Sequence, residues 1–259
     1  MPITRHAISY LLDSMPFHVN YVLYLDIDGT LADFQLDPKQ SFIPKTTLHV
    51  LNCLLRLNIP IILLTGRGVE DAQQLAQGLD VGIAGSHGLD LYLQQKRYRP
   101  ELDLMEMKAL HSYVAHACQG QALRVEHKDY SIALHYREYP QSAQYAEQMA
   151  CEVVEKFPNF YLKKGHDVCE IAPLSANKGH AIQRIQHFLG LSQHCPIFIG
   201  DDLTDEDGFT VINQLQGISI KVGQGQTHAH YQIDNVVECA NFLENFTKKI
   251  IHHKNRSMQ

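Results

Sequence analysis

Residues 21–34 read YVLYLDIDGTLADF. The run opens with five apolar residues and no alternation, so both faces of the strand must be covered, as in the interior of a parallel sheet. It ends on Asp26 and Asp28, one residue apart, and then on Gly29. Burying a carboxylate costs several kcal/mol unless something pairs with it, so a strand that ends on two has a use for the charge. Ile27 between them should point the opposite way, into the core. Gly29 lets the chain turn away tightly, and Thr30 reads as a turn or cap residue.

Outward from this strand, short apolar runs alternate with amphipathic stretches. The pattern predicts a helix over 44–57, a strand over 59–64, a helix over 68–79 and a strand over 81–85. Further on it predicts a helix over 177–190 with Gly190 as its stop, strands over 195–200 and 217–223, and a helix near 205–215 between them. This is the signature of an α/β core, a Rossmann-like parallel sheet covered by helices on both faces. The middle reads differently: a helix from Glu101 to Cys118, an alternating pair over 122–138 turning near Lys128-Asp129, a helix over 141–156, and a second pair over 160–173 turning near Gly165-His166. That order describes an antiparallel α+β insert over 99–173, which divides the core into 1–98 and 174–259.

Bulk properties exclude several classes. With 45% hydrophobic and 19% charged residues over 259, the chain has the content of an ordinary globular protein with a large core. A net charge of −6 without a basic stripe argues against nucleic acid as a partner. No apolar run approaches the roughly 20 residues that span a bilayer, so no membrane partner is expected. The six cysteines form no CxxC pair and no secretory signal is visible, which reads as reduced thiols in the cytoplasm. His228 and His230 lack accompanying Cys or carboxylate clusters and read as surface residues. The basic end from Lys248 to Arg256 reads as solvated.

Ligands bind at the carboxyl ends of strands in such sheets. Asp26 and Asp28 end the first strand, Thr65 ends the second, Asp201 and Asp202 follow IFIG, and Lys178 opens a helix. Carboxylates brought together repel unless a cation lies between them, and all-oxygen ligation suits Mg²⁺. A lysine offsets further negative charge, including that of a bound phosphate. Such a site can hold a phosphoryl group against a carboxylate nucleophile.

DIDGT (26–30), LLTGR (63–67), NKG with Lys178, and GDDLTDEDGF (200–209) resemble, in order, the four motifs of the haloacid dehalogenase-like phosphohydrolase superfamily. The resemblance implies Asp26 as nucleophile, Asp28 as acid and base, and Thr65 and Lys178 on the phosphoryl group. Asp26, the Asp28 carbonyl and Asp201 would hold Mg²⁺, with Asp202 and Asp205 in support. Over nearly its whole length the chain is similar to trehalose-6-phosphate phosphatases, through GSHGLDL (85–91), RVEHKDYSIALHYR (124–137) and GHDVCEIAP (165–173). That likeness implies a capping role for the insert and a sugar site from Glu126, Lys128, Arg137 and Glu170, with Gly66, Arg67, His87 and Gly88 on the core side. The chain has no Trp, so sugar stacking would fall to Tyr or Phe or be absent. Gly208 stands where a bulkier residue is expected to pack.

The expected activity is therefore hydrolysis of trehalose 6-phosphate through an aspartyl-phosphate. The nearest rival is the same chemistry on another sugar phosphate, such as sucrose 6-phosphate or a mannosyl-glycerate phosphate. A non-catalytic sugar-phosphate sensor would require a missing catalytic residue, and all are present.

Overall fold

The structure is a computed structural model describing residues 8–35, 37–99, 103–165 and 167–257. It divides into two compact units, one of residues 1–99 with 177–259 and one of residues 100–176.

The first unit begins with α1 (Ile8–Ser14), β1 (Asn20–Leu25), α2 (Lys45–Arg56), β2 (Ile61–Leu64), α3 (Val69–Leu75), β3 (Gly82–Gly85), β4 (Asp90–Leu93) and β5 (Lys96–Tyr98). The second unit holds α4 (Leu104–Ala117), β6 (Arg124–His127), β7 (Ile132–His135), α5 (Ala143–Lys156), β8 (Phe160–Gly165) and β9 (Val168–Pro173). The chain then returns to the first unit with α6 (Lys178–Phe188), β10 (His194–Gly200), α7 (Glu206–Gln214), β11 (Ile218–Val222), β12 (Tyr231–Ile233) and α8 (Val236–Ser257).

The eight strands of the first unit lie in the order β12-β11-β10-β1-β2-β3-β4-β5, with every neighbouring pair parallel except β3–β4 and β4–β5, so that β4 alone is reversed. From β1 the chain steps outward through β2 and β3 on one side, while β10, β11 and β12 build the other. The switch of direction therefore falls between β1 and β10, and the carboxyl ends of strands at such a point are where ligands bind in open α/β sheets. Both faces of β1 are buried, as its unbroken apolar run requires. Leu23 and Leu25 face Leu51, Leu54, Phe242 and Phe246 of α2 and α8, while Val22 and Tyr24 share a cluster with α6 and α7.

The charged residues of the basic end are solvent-exposed, as expected, but the segment is helical and belongs to the 22-residue α8, whose other side is buried. Phe242, Leu243, Phe246 and Ile250 are buried there, and Phe246 meets Tyr21 edge-on at 5.3 Å. Full burial of each such side chain contributes roughly 1.5–3 kcal/mol. The lysines stay on the polar side, Lys249 on the Asp13 carboxylate and Lys254 on the Leu57 carbonyl at 2.7 Å. Charge clustering at a terminus masked an amphipathic stripe. Gly208 also differs from expectation: a Cβ there would lie 2.4 Å from the Phe198 ring, so the missing side chain makes room for an aromatic instead of leaving a gap.

The second unit is an antiparallel sheet in the order β6-β7-β9-β8. Leu134, Cys169 and Ile171 pack with Leu110 and Val114 of α4 and Met149 and Val153 of α5. Asp103 caps α4, its carboxylate accepting from the Met105 and Glu106 amides at 2.8 and 3.2 Å. Glu101 and His166, expected in a helix and a turn, lie outside the described residues.

Candidate active site

β10, β1 and β2 are neighbours, so the residues that follow them meet at one sheet edge. Asp26 leaves β1 with its amide on the Ile199 carbonyl at 3.0 Å, and Thr65 leaves β2 with its amide on Ala84 at 2.9 Å. Ile27 is fully buried, as alternation demands. Gly29 turns at φ +81, and a Cβ there would lie 2.0 Å from an Asp201 carboxylate oxygen. Both the backbone sign and the space exclude a larger residue. Thr30 is buried and its hydroxyl lies 3.5 Å from Asp201 Oδ1.

Carboxylate oxygens of Asp26, Asp201 and Asp205 lie within 4.8 Å of one another, the only convergence of three or more His, Cys, Asp or Glu ligand atoms among the described residues. Lys178, almost fully buried, donates to Asp205 Oδ1 at 2.6 Å and lies 3.1 Å from Asp26 Oδ1. Asp205 Oδ2 accepts the Asp201 and Asp202 amides, both at 2.9 Å. Asp205 is thus committed to holding Lys178 and the β10–α7 turn. The acid that holds Lys178 is Asp205, not Asp202. Asp202 is exposed and caps the turn through the Leu203 amide at 2.7 Å.

One lysine does not balance three carboxylates. Burial pushes Asp26 well above the usual carboxylate range, although Lys178 opposes the shift. Burial, then the charge of Asp205, pushes Asp201 up to about 6. Burial pulls the Lys178 ammonium down, but Asp205 and Asp26 more than offset it, so Lys178 stays charged. The carboxylates left over in that trio are Asp26 and Asp201. That all-oxygen set, with excess negative charge, fits a hard divalent cation.

A pH dependence follows from Asp201. Its carboxyl titrates higher in the folded chain than in the unfolded one, so between about pH 4 and pH 6 the folded chain holds more protons. Without metal its contribution is complete below pH 4 and is lost as pH rises through about 6. A divalent cation bound there would replace the proton. The gain in Tm on adding Mg²⁺ should therefore be larger at pH 7.5 than at pH 5, and an equal gain at both would refute this coupling.

Asp28 points away from that trio. Its carboxylate meets Arg67 through Nε–Oδ2 and Nη2–Oδ1, both 2.6 Å, and Ser41 Oγ at 3.1 Å. The Thr65 hydroxyl accepts the Arg67 amide at 3.2 Å, and the Thr65 carbonyl accepts the His87 amide at 2.9 Å. His87 is buried in a turn where Ser86, His87 and Gly88 all have positive φ, at 49, 55 and 91. Consecutive left-handed residues store strain of about 1–3 kcal/mol at each non-glycine position, a feature that clusters at functional sites. Its ring seats on Gly66, where a Cβ would lie 2.6 Å from Cε1. Thr65, Gly66, Arg67 and His87 are thus one interlocked group.

In the second unit, register aligns Glu126, Ala133, Glu170 and Lys163 in one row across the sheet, on the face opposite Leu134 and Ile171. Glu170 accepts from Lys128 Nζ at 2.9 Å and from Ser131 Oγ at 2.7 Å. Glu126 contacts His135 Nε2 at 2.7 Å, and that bond holds its carboxyl below the usual range against the opposing effect of burial. Glu126, Lys128 and Glu170 thus belong to one polar face, which adds Ser131 and His135, missed by the sequence reading. Alternation around the turn was the signal: 131, 133 and 135 share a face. Arg137 lies past the end of β7 in an exposed ion pair with Asp167 at 3.3 Å.

A family model described as Trehalose-phosphatase matches residues 24–237. The trehalose-6-phosphate phosphatase of Escherichia coli K12 is 31% identical over 243 residues, covering 92% of this chain and 90% of that protein. The solved C-terminal domain of the C. albicans trehalose-6-phosphate phosphatase has TM-score 0.82 at 18% identity, covering 95% of this chain and 98% of that one. A phosphatase of the haloalkanoate (HAD) enzyme superfamily from Bacteroides thetaiotaomicron shares the fold at TM-score 0.65 and 15% identity, covering 88% and 96% of the two chains.

Proposed function

The chain belongs to the trehalose-phosphatase family, and from that premise we propose that it is a Mg²⁺-dependent phosphatase converting trehalose 6-phosphate and water to trehalose and phosphate. The observation that carries the chemistry is the meeting of Asp26, Lys178, Asp201 and Asp205 at one sheet edge, with Asp28 two residues on from Asp26.

Asp26 Oδ attacks phosphorus, and the bond from phosphorus to the sugar oxygen breaks. The departing oxygen takes a proton from the Asp28 carboxyl, which releases trehalose and leaves an aspartyl-phosphate on Asp26. Water then attacks that phosphorus and passes a proton to Asp28, freeing Asp26 and phosphate. Lys178 keeps Asp26 oriented and offsets charge on the transferring group, and the Thr65 hydroxyl donates to a phosphoryl oxygen. Mg²⁺, held by Asp26, Asp201 and the Asp28 carbonyl, would supply charge neutralisation on the phosphoryl oxygens.

Glu126, Lys128, Arg137 and Glu170 of the 100–176 unit are sugar-binding residues in this reading, and so are Gly66 and His87 of the first unit. Carboxylates that accept from hydroxyls in pairs reject analogues that leave them unpaired. The six cysteines are free thiols, and no helix among the described residues is long and apolar enough to cross a membrane. Phosphate release from a panel of sugar phosphates, with Mg²⁺ and with chelator, tests the proposal. Mg²⁺-dependent turnover of trehalose 6-phosphate well above sucrose 6-phosphate and glucose 6-phosphate is expected. Equal turnover of all three would retain the chemistry and overturn the sugar assignment.

A further inference from the structure

Arg67 was expected on the substrate side, yet its guanidinium engages both oxygens of Asp28 at 2.6 Å. Ser41, buried in the segment that leads into α2, adds its hydroxyl to Oδ1 at 3.1 Å. The Arg67 backbone is itself fixed, its amide on Thr65 Oγ1 at 3.2 Å and its carbonyl under the Ser86 amide at 2.8 Å. Two chain segments thus converge on one carboxylate, and a third braces the Arg67 backbone. A two-pronged guanidinium contact sets the plane of a carboxylate as well as its place, which a lysine does not do.

We infer that Arg67 and Ser41 are positioning residues for Asp28, a cradle that fixes the direction in which this carboxyl exchanges its proton with the departing sugar oxygen. The inference rests on the phosphatase reading above. Proton transfer demands a reach of about 2.6–3.2 Å, and supporting bonds must hold the group to within about half an ångström. Asp28 is partly exposed, so packing alone does not provide that precision. Ser41 was invisible in the sequence because nothing in DPKQSFIP announces a turn back to Asp28.

The test uses the leaving group. A sugar alkoxide departs poorly without a proton, whereas 4-nitrophenolate departs without one. Ser41→Ala should lower kcat/KM for trehalose 6-phosphate about tenfold, the worth of one hydrogen bond to a charged group, with KM within about twofold. On 4-nitrophenyl phosphate the fall should be about twofold or less. Arg67→Lys should shift the same ratio further, about 10²-fold, near the lower end of what a positioned acid supplies. Ser41→Thr, which keeps the hydroxyl, should restore the ratio, and melting temperatures control for folding. Equal effects of Ser41→Ala on both substrates, or none on either, would overturn the inference. So would a ratio moved by Arg67→Lys alone, which would assign Arg67 to the sugar. If the wild type cleaves 4-nitrophenyl phosphate but not trehalose 6-phosphate, the substrate reading fails by itself. The cradle is then judged with glucose 6-phosphate as the alkyl ester.

Discussion

Asp26→Asn should abolish turnover, by at least about 10³-fold in kcat, while the protein keeps its Tm or gains slightly without metal. The amide is nearly isosteric but forms no phosphoenzyme, so the loss falls on the chemical step. Stability should survive because the wild-type carboxylate is in an unfavourable place. It is buried, its pKa is raised well above the ordinary range, and Asp201 and Asp205 stand close by. Lys178 keeps its shorter contact, to Asp205 at 2.6 Å. Phosphate release and thermal melting of the same preparation check both halves. Activity within tenfold of wild type would place the nucleophile elsewhere. A wild type that binds trehalose 6-phosphate without turnover would favour the sensor.

The parallel core and the positions of the acids proposed as catalytic were legible because they depend on local signals. An unbroken apolar run requires a strand covered on both faces, and its end fixes where Asp26 points. The sheet order was not legible from any run, yet it is the β10-β1-β2 adjacency that joins Asp201 to Asp26 over a long sequence separation. The short elements missed have a common cause, unlike the 22-residue α8, whose charges masked its apolar stripe. β4, β5 and β12 are three or four residues long, too short for a period to show, and α1 is only seven. Within the site, DDLTD left Asp202 and Asp205 equivalent. Only the turn after β10 separates them, turning one outward as a cap and burying the other against Lys178. Partnerships such as Ser41 with Asp28 and His135 with Glu126 depend on side-chain geometry that no spacing encodes.

Asp205→Ala should be the most destabilising change in the site, at about 3–5 kcal/mol, the cost of breaking a buried ion pair from one side. Asp205 is fully buried, and Gly200 lacks a side chain where Asp205 packs, since a Cβ there would lie 2.4 Å from its carboxyl carbon. Alanine would leave Lys178 with Asp26 at 3.1 Å and deprive the Asp201 and Asp202 amides of their acceptor. Urea unfolding measures the loss, and a change below about 1 kcal/mol would show that water replaces the carboxylate. A cycle with Lys178→Met separates the charge pair from the turn it braces. If the pair dominates, the double variant is less destabilised than the sum of the singles by about 1–3 kcal/mol, because neither charge is left stranded. If the amides dominate, the effects add. Mg²⁺ divides the two singles further. With Lys178→Met the acidic trio keeps its donors and loses its internal cation, so added Mg²⁺ should recover much of the lost stability. With Asp205→Ala the Asp201 backbone loses its anchor, and Mg²⁺ should recover little.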